Sequence, residues 1–550
     1  MKKITLFSTI LIVMFTLSNP LFGFDFPSNY NSVLEAYNKY DNQQVIEGVG
    51  EILKNRDSID VKYQEYIDNT ILMLAVIYSE MGEWETSLET WTNLITSTSD
   101  TGMLFSAYYN RALCNNQLNL LDQAIADYQQ ALSYNPAYIE GYKQIALIYQ
   151  IDKLNPEKAL ETYTNGLIHN PDSSDLLYLR AVLYESGGDY QAAIADHSRL
   201  IELNDSQKDF YYSHRAMNYY KMREWDSALA DINTSIDLQI VPFAQDYVLR
   251  GDIYIELGIT DAAITDYTKA ISLFSEIDEE DPQVYGKLAN LYMNNGEFWS
   301  AIDNFSEAIL LANIWDSVDE YYRGRGFCYA SVGSYDSAVV DYSMATYLNP
   351  NPDYYRELGD VYAAGNDTAA ALSQYNECIF LRPEPDPIDY QKRANLHYAM
   401  GNPKGAIDDY LIISELKPYD DRVWSDLGKL YQAAQMYPQA VDSFSEAVSL
   451  MFNDEYYWCE EFYFRAYSNM MIGKFSEALA DLDLLISLDD TIYDPFYLRG
   501  SIYESIGDWE KAAQDYRRLA EVITSNYENP QLLELAQNAL AAAEILDAKL

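Results

Sequence analysis

The residues able to do chemistry in this chain are scattered. The four histidines, His169, His197, His214 and His397, lie far apart, and two of them stand where equivalent segments carry tyrosine. Spacing of that kind fits packing histidines rather than a metal-ligand set. The four cysteines, Cys114, Cys328, Cys378 and Cys459, form no CxxC pair. Cys378 falls at a core position of its helix, so free, buried thiols that pack as small hydrophobes are expected. Cys328 and Cys378 are the only two close enough in the repeat order to bridge. No phosphate loop, HExxH, GxSxG or dinucleotide fingerprint occurs. Acidic residues are abundant, but acid–base catalysis also needs a closed pocket with shifted pKa values. No catalytic residue, metal or cofactor is therefore expected.

One charged pattern is regular. Arginine stands at 111, 180, 215, 250, 325, 393, 465 and 499, and sixteen residues after each stands an aspartate. The pairs are Arg111 with Asp127, Arg180 with Asp196, Arg215 with Asp231 and Arg250 with Asp266. Arg325 with Asp341, Arg393 with Asp409, Arg465 with Asp481 and Arg499 with Asp515 continue the series. Five equivalent segments lack both members: Leu74 with Thr90, Ile145 with Glu161, Leu288 with Asn304, Leu358 with Gln374, and Leu427 with Ser443. Two residues that come and go together predict a guanidinium–carboxylate bridge, because arginine's planar fork matches a carboxylate at two points.

The elements that must position these pairs are helices. Tyr321–Pro350 reads as two amphipathic helices, the first to about Ala330 and the second from Tyr335 to Leu348. Gly333 suits the left-handed turn between them. Tyr322, Tyr329, Tyr335 and Tyr342 read as apolar stripes at helical spacing. The unit recurs. Its small first-helix residue is found at Ala75, Ala112, Ala146, Ala181, Ala216, Gly251, Ala289, Gly326, Gly359, Ala394, Gly428, Ala466 and Gly500. A second small residue follows about twelve positions later, from Ser87 and Ala124 to Ala512, and a bulky one four after that, as at Trp91, Tyr128, Phe444 and Tyr516. Non-glycine residues stand at three of the turns (Asn119, Arg223, Gln435), and the third unit carries an extra residue near Leu154–Pro156.

This period resembles the tetratricopeptide repeats, helix–turn–helix units of about 34 residues. The resemblance covers residues 68–522. It implies an all-α, right-handed superhelical solenoid of about thirteen units with terminal capping helices. The expected domains are a signal peptide at 1–24, a helical cap or degenerate repeat at 25–67, the solenoid at 68–525 and a capping helix at 526–550. Lys2 and Lys3 followed by the apolar run Ile4–Leu17 carry the first of these, since that core is short for a membrane span. An exported chain, periplasmic or extracellular, is expected; an uncleaved anchor is the alternative.

The resemblance also implies a concave groove lined by the first helices. The positions not used for packing there carry Tyr109, Lys143, Tyr178, Met217, Tyr220, Asn290, Met293, Arg323, Arg356, Asn395, Tyr398, Tyr463, Tyr467, Met470, Met471 and Tyr497. Tyrosine, methionine and arginine are favoured at interface cores, although single residues among them could instead finish the packing between units. No lysine is followed by asparagine four residues later, so the carboxylate clamp of the family's chaperone-tail receptors is missing. A net charge of −49 opposes binding to nucleic acid or anionic lipid and permits basic partners. The expected function is a non-catalytic scaffold for a protein or extended peptide. Alternatives are a regulatory or sensor subunit of an envelope enzyme complex, a glycan-binding solenoid, or an enzyme with an improvised site.

Overall fold

The structure is a computed structural model that describes residues 26–203, 206–313, 316–451 and 460–549. The expected signal peptide, the loop at 453–457 and Cys459 lie outside the described residues. Among those that are described, every regular element is helical. No helix there is long and apolar enough to cross a membrane.

The chain divides into two compact units, Met1–Leu273 and Phe274–Leu550. The first begins with the hairpin of helices Phe26–Asn38 and Asn42–Lys54, which buries Val33, Val45, Val49 and Ile52. Six antiparallel helix pairs follow, with anchors from Ala75 to Gly251. The second unit holds seven pairs, with anchors from Ala289 to Gly500, and ends on helix Pro530–Asp547. That last helix buries Ala536, Ala539, Ala543 and Leu546 against helix Trp509–Asn526.

Within a pair, the small anchor receives the aromatic ring sixteen residues later. A Cβ on Gly428 would lie 2.6 Å from the Phe444 ring, and one on Gly251 equally close to Tyr267. The missing side chain is what lets the two helices close on a buried ring, each such ring contributing about 2–3 kcal/mol of hydrophobic stabilisation. Turns between the helices use left-handed backbone: glycine at 82, 188, 258, 296, 333, 401, 473 and 507, but Asn119, Arg223, Asn366 and Gln435 elsewhere. Arg223, at φ 62°, pays a steric cost that glycine would not. Arg223→Gly is expected to raise stability by about 0.5–1 kcal/mol, read as a higher urea midpoint; an unchanged or lower midpoint would mean that the arginine side chain stabilises the turn.

The extra residue of the third unit has a structural counterpart. Residues Ile148–Asp152 form a π turn, and Leu154 takes a positive φ of 48° before Asn155 caps helix Pro156–His169. A π turn is the ordinary way for a helix to absorb one inserted residue. Ala146 therefore meets Tyr163, seventeen residues on, and Thr162 occupies the slot that counting sixteen from Ile145 assigns to Glu161; Glu161 is solvent-exposed.

The stripe expected of the Gly326 pair needs correcting. Tyr342 is buried, but Tyr335 is exposed and Tyr322 and Tyr329 are only half-buried. The last two flank Arg325, whose guanidinium carbon lies 5.5 and 6.0 Å from their ring centres. Helical spacing alone does not separate a ring that packs in the core from one that covers a cation.

Candidate functional site

All eight arginines meet the aspartate of their own pair with both ends of the fork. Nε–Oδ distances are 2.6–3.0 Å. Nη2–Oδ distances are 2.5–2.8 Å. The carboxylates are buried and the guanidinium groups about one-fifth exposed. Hydrogen bonds to the carboxylates raise the pKa of Arg111, Arg180, Arg215, Arg250, Arg325 and Arg393 further; Arg499 is raised too, although burial, its largest influence, acts in the opposite sense.

A third partner completes each arginine and was not visible in the pattern. Nη1 donates to the second helix of the preceding pair: to Thr92, Thr164, Ser198, Asn233, Ser306, Asn376, Ser445 and Asp483 in turn. Each arginine thus ties three helices. Aromatic rings three residues before or four after it, such as Tyr247 and Tyr254 around Arg250, shield the cation. The acceptor changes type from pair to pair, which is why no repeated residue signals it.

The first-helix positions fall into two groups. Tyr109 packs against Phe105, Tyr128 and Tyr138, and Tyr178 against Phe210, Tyr211 and His214. Tyr463 touches Phe464, and burial pushes its hydroxyl up to about 12. Tyr220 lies against Trp225 and Tyr467 against Tyr437. These five serve packing at least in part. Met217, Tyr398 and Tyr497 are 41, 54 and 48 % exposed, and Asn290 and Asn395 are exposed too.

The cations of this face are neutralised by the next pair. Arg323 bridges Glu357 at 2.6 Å, Arg356 bridges Asp389 at 3.0 Å, and Lys143 bridges Asp175 at 3.3 Å. Such bridges between consecutive first helices place their exposed faces side by side within each unit. Over the whole chain carboxylates far outnumber cations, with a net charge of −49.

The histidines do not all behave as isolated packing residues. His197 Nε2 lies 2.8 Å from Glu185 Oε1, and His214 Nδ1 reaches the same oxygen at 3.4 Å. Cys114, Cys328 and Cys378 are free and buried, and burial raises the last two thiols to about 12.

Family models for the tetratricopeptide repeat match residues 105–138, 149–207, 247–276 and 496–522. The chain is a tetratricopeptide-repeat protein. Its relatives include human tetratricopeptide repeat protein 6, 25% identical over 206 residues, or 36% of this chain and 37% of that one. Hsp70-Hsp90 organizing protein 3 of Arabidopsis thaliana is 34% identical over 71 residues, 13% of this chain and 12% of that one. The chain thus spans well under half the length of either relative. A crystal structure of a tetratricopeptide repeat protein from Parabacteroides merdae is 20% identical, covers 47% of this chain and 98% of its own, and superposes with a TM-score of 0.30. The buried arginine bridges serve the architecture of its repeats.

Proposed function

We propose that this tetratricopeptide-repeat protein is a non-catalytic scaffold whose units each hold a basic, extended protein segment along their first-helix faces. The observation that carries this reading is the set of large side chains that stay largely exposed there, Met217, Tyr398 and Tyr497 foremost, the last also touching Tyr516 with one edge of its ring. Aromatic and methionine side chains supply contact area at low entropic cost when a partner covers them. The surrounding acidic surface favours a cationic partner and speeds its encounter. The chain acts outside the cytoplasmic membrane, after removal of a leader that spans residues 1–24.

The test is a pull-down with residues 25–550 as bait against envelope extract, beside a bait carrying Met217→Ser, Tyr398→Ser and Tyr497→Ser. Exposed positions are chosen so that the fold survives. Capture by the first bait, falling at least about tenfold with the second and weakening with salt, is expected, since exposed charge attraction is screened. Equal capture by both would remove the first-helix face from the account.

A further inference from the structure

We propose that Glu185, His197 and His214 form a site for one divalent transition-metal ion of the zinc type. The three side chains come from three successive helices, Ser174–Ser186, Tyr190–Glu202 and Lys208–Lys221, so the site joins the Ala181 pair to the Ala216 pair. Their ligand atoms all lie within 4.8 Å of one another. Zinc bonds of about 2.0–2.1 Å place tetrahedral ligands roughly 3.4 Å apart. His214 Nδ1 lies at that spacing from Glu185 Oε1, at 3.4 Å; His197 Nε2, at 2.8 Å, is about 0.6 Å closer. The two imidazole nitrogens lie within 4.8 Å of each other, so sub-ångström side-chain shifts of the carboxylate and a closer approach of the rings would complete the set.

Neither histidine is required by the repeat. The His197 slot holds tyrosine in most pairs, for example Tyr128, Tyr267, Tyr342 and Tyr516, where the ring fills the core. The residue before the arginine, His214 here, is leucine at 179, 249 and 498. Two imidazoles on one carboxylate are therefore particular to this junction.

The surroundings hold the donors in place. His197 is fully buried, its ring 5.3 Å from that of His214. Asn218 Nδ2 donates to Glu185 Oε1 at 2.7 Å and to the His214 carbonyl at 2.8 Å, which fixes both ligands. Glu185 and His214 are partly exposed, leaving an entry path and an open fourth position for water. Two imidazoles and one carboxylate favour zinc, nickel or copper over magnesium or calcium. Metal on Nε2 places the His197 proton on Nδ1, which is buried without a partner, and this sets the affinity below that of fully supported zinc sites.

The experiment uses the full chain, stripped with chelator and titrated with Co²⁺ and Zn²⁺. Wild type is expected to take one ion per chain, to show the visible absorption of tetrahedral cobalt, and to melt at a higher temperature with Zn²⁺. His197→Tyr and His214→Leu install residues that other pairs carry, so both should keep the helical circular dichroism. Each is expected to lower affinity by at least about 10–100-fold and to abolish the melting shift. No cobalt band and no melting shift in wild type would overturn the proposal and leave the three groups as a hydrogen-bonded cluster. Unchanged binding in both variants would overturn it too, by placing the ion on other ligands.

Discussion

Asp341→Asn destabilises the second unit by about 2–4 kcal/mol, while Asp341→Asn combined with Arg325→Leu comes back to within about 1 kcal/mol of wild type. The single change removes the one carboxylate that, among the described residues, bridges a guanidinium one-fifth exposed and flanked by Tyr322 and Tyr329. Arg325 keeps its bond to Ser306, but that neutral acceptor does not balance a buried charge. The double change reproduces a combination the protein already uses, Leu288 with Asn304, in which Leu288 is buried. A large coupling energy is thus expected from partners whose joint removal costs little, because desolvation of two charges offsets most of their attraction. Urea denaturation of the four proteins of the cycle gives the comparison, with hydrogen exchange at 318–348 to localise the effect in an array that need not unfold as one body. Additive effects would show that the two side chains do not act as a pair.

Phe444→Ala is expected to cost about 3–5 kcal/mol. Phe444 is fully buried, and Gly428 opposite has no side chain with which to fill the cavity. Gly428→Ala alone is expected to cost about 1–3 kcal/mol, because its Cβ would sit 2.6 Å from the ring. Gly428→Ala with Phe444→Leu should recover most of that loss, since Ala466 and Leu482, both fully buried, show the same combination elsewhere in the chain. A Phe444→Ala midpoint within error of wild type would mean that the ring does not hold the pair closed.

The residues that repeat explain why so much of this was legible. The small anchors and the rings that meet them recur at a period set by the geometry of a helix pair. The arginine–aspartate bridge was visible for the same reason: both members vanish together from five pairs. What escaped the pattern has physical causes as well. The third acceptor of each arginine asks only for an oxygen, so threonine, serine, asparagine and aspartate all serve. Tyr322 and Tyr329 have the spacing of core residues because a ring over a cation sits on the same helix as one in the core. Glu161 was counted into a slot that a π turn gives to Thr162. His197 and His214 read as isolated because they belong to different pairs. The relation that joins them, a first helix reaching back to the second helix of the preceding pair, is the one the third acceptors follow.

The scaffold reading is tested most directly by photo-crosslinking from single positions in the full chain, expressed in its own cells. A photoreactive phenylalanine analogue would replace Tyr398 or Tyr497 on first helices, and Tyr347 or Phe380, both 82 % exposed, on second helices. The account predicts one discrete crosslinked protein from the first-helix positions, absent from the other two. The same product from Tyr347 and Phe380, with none from Tyr398 or Tyr497, would contradict it.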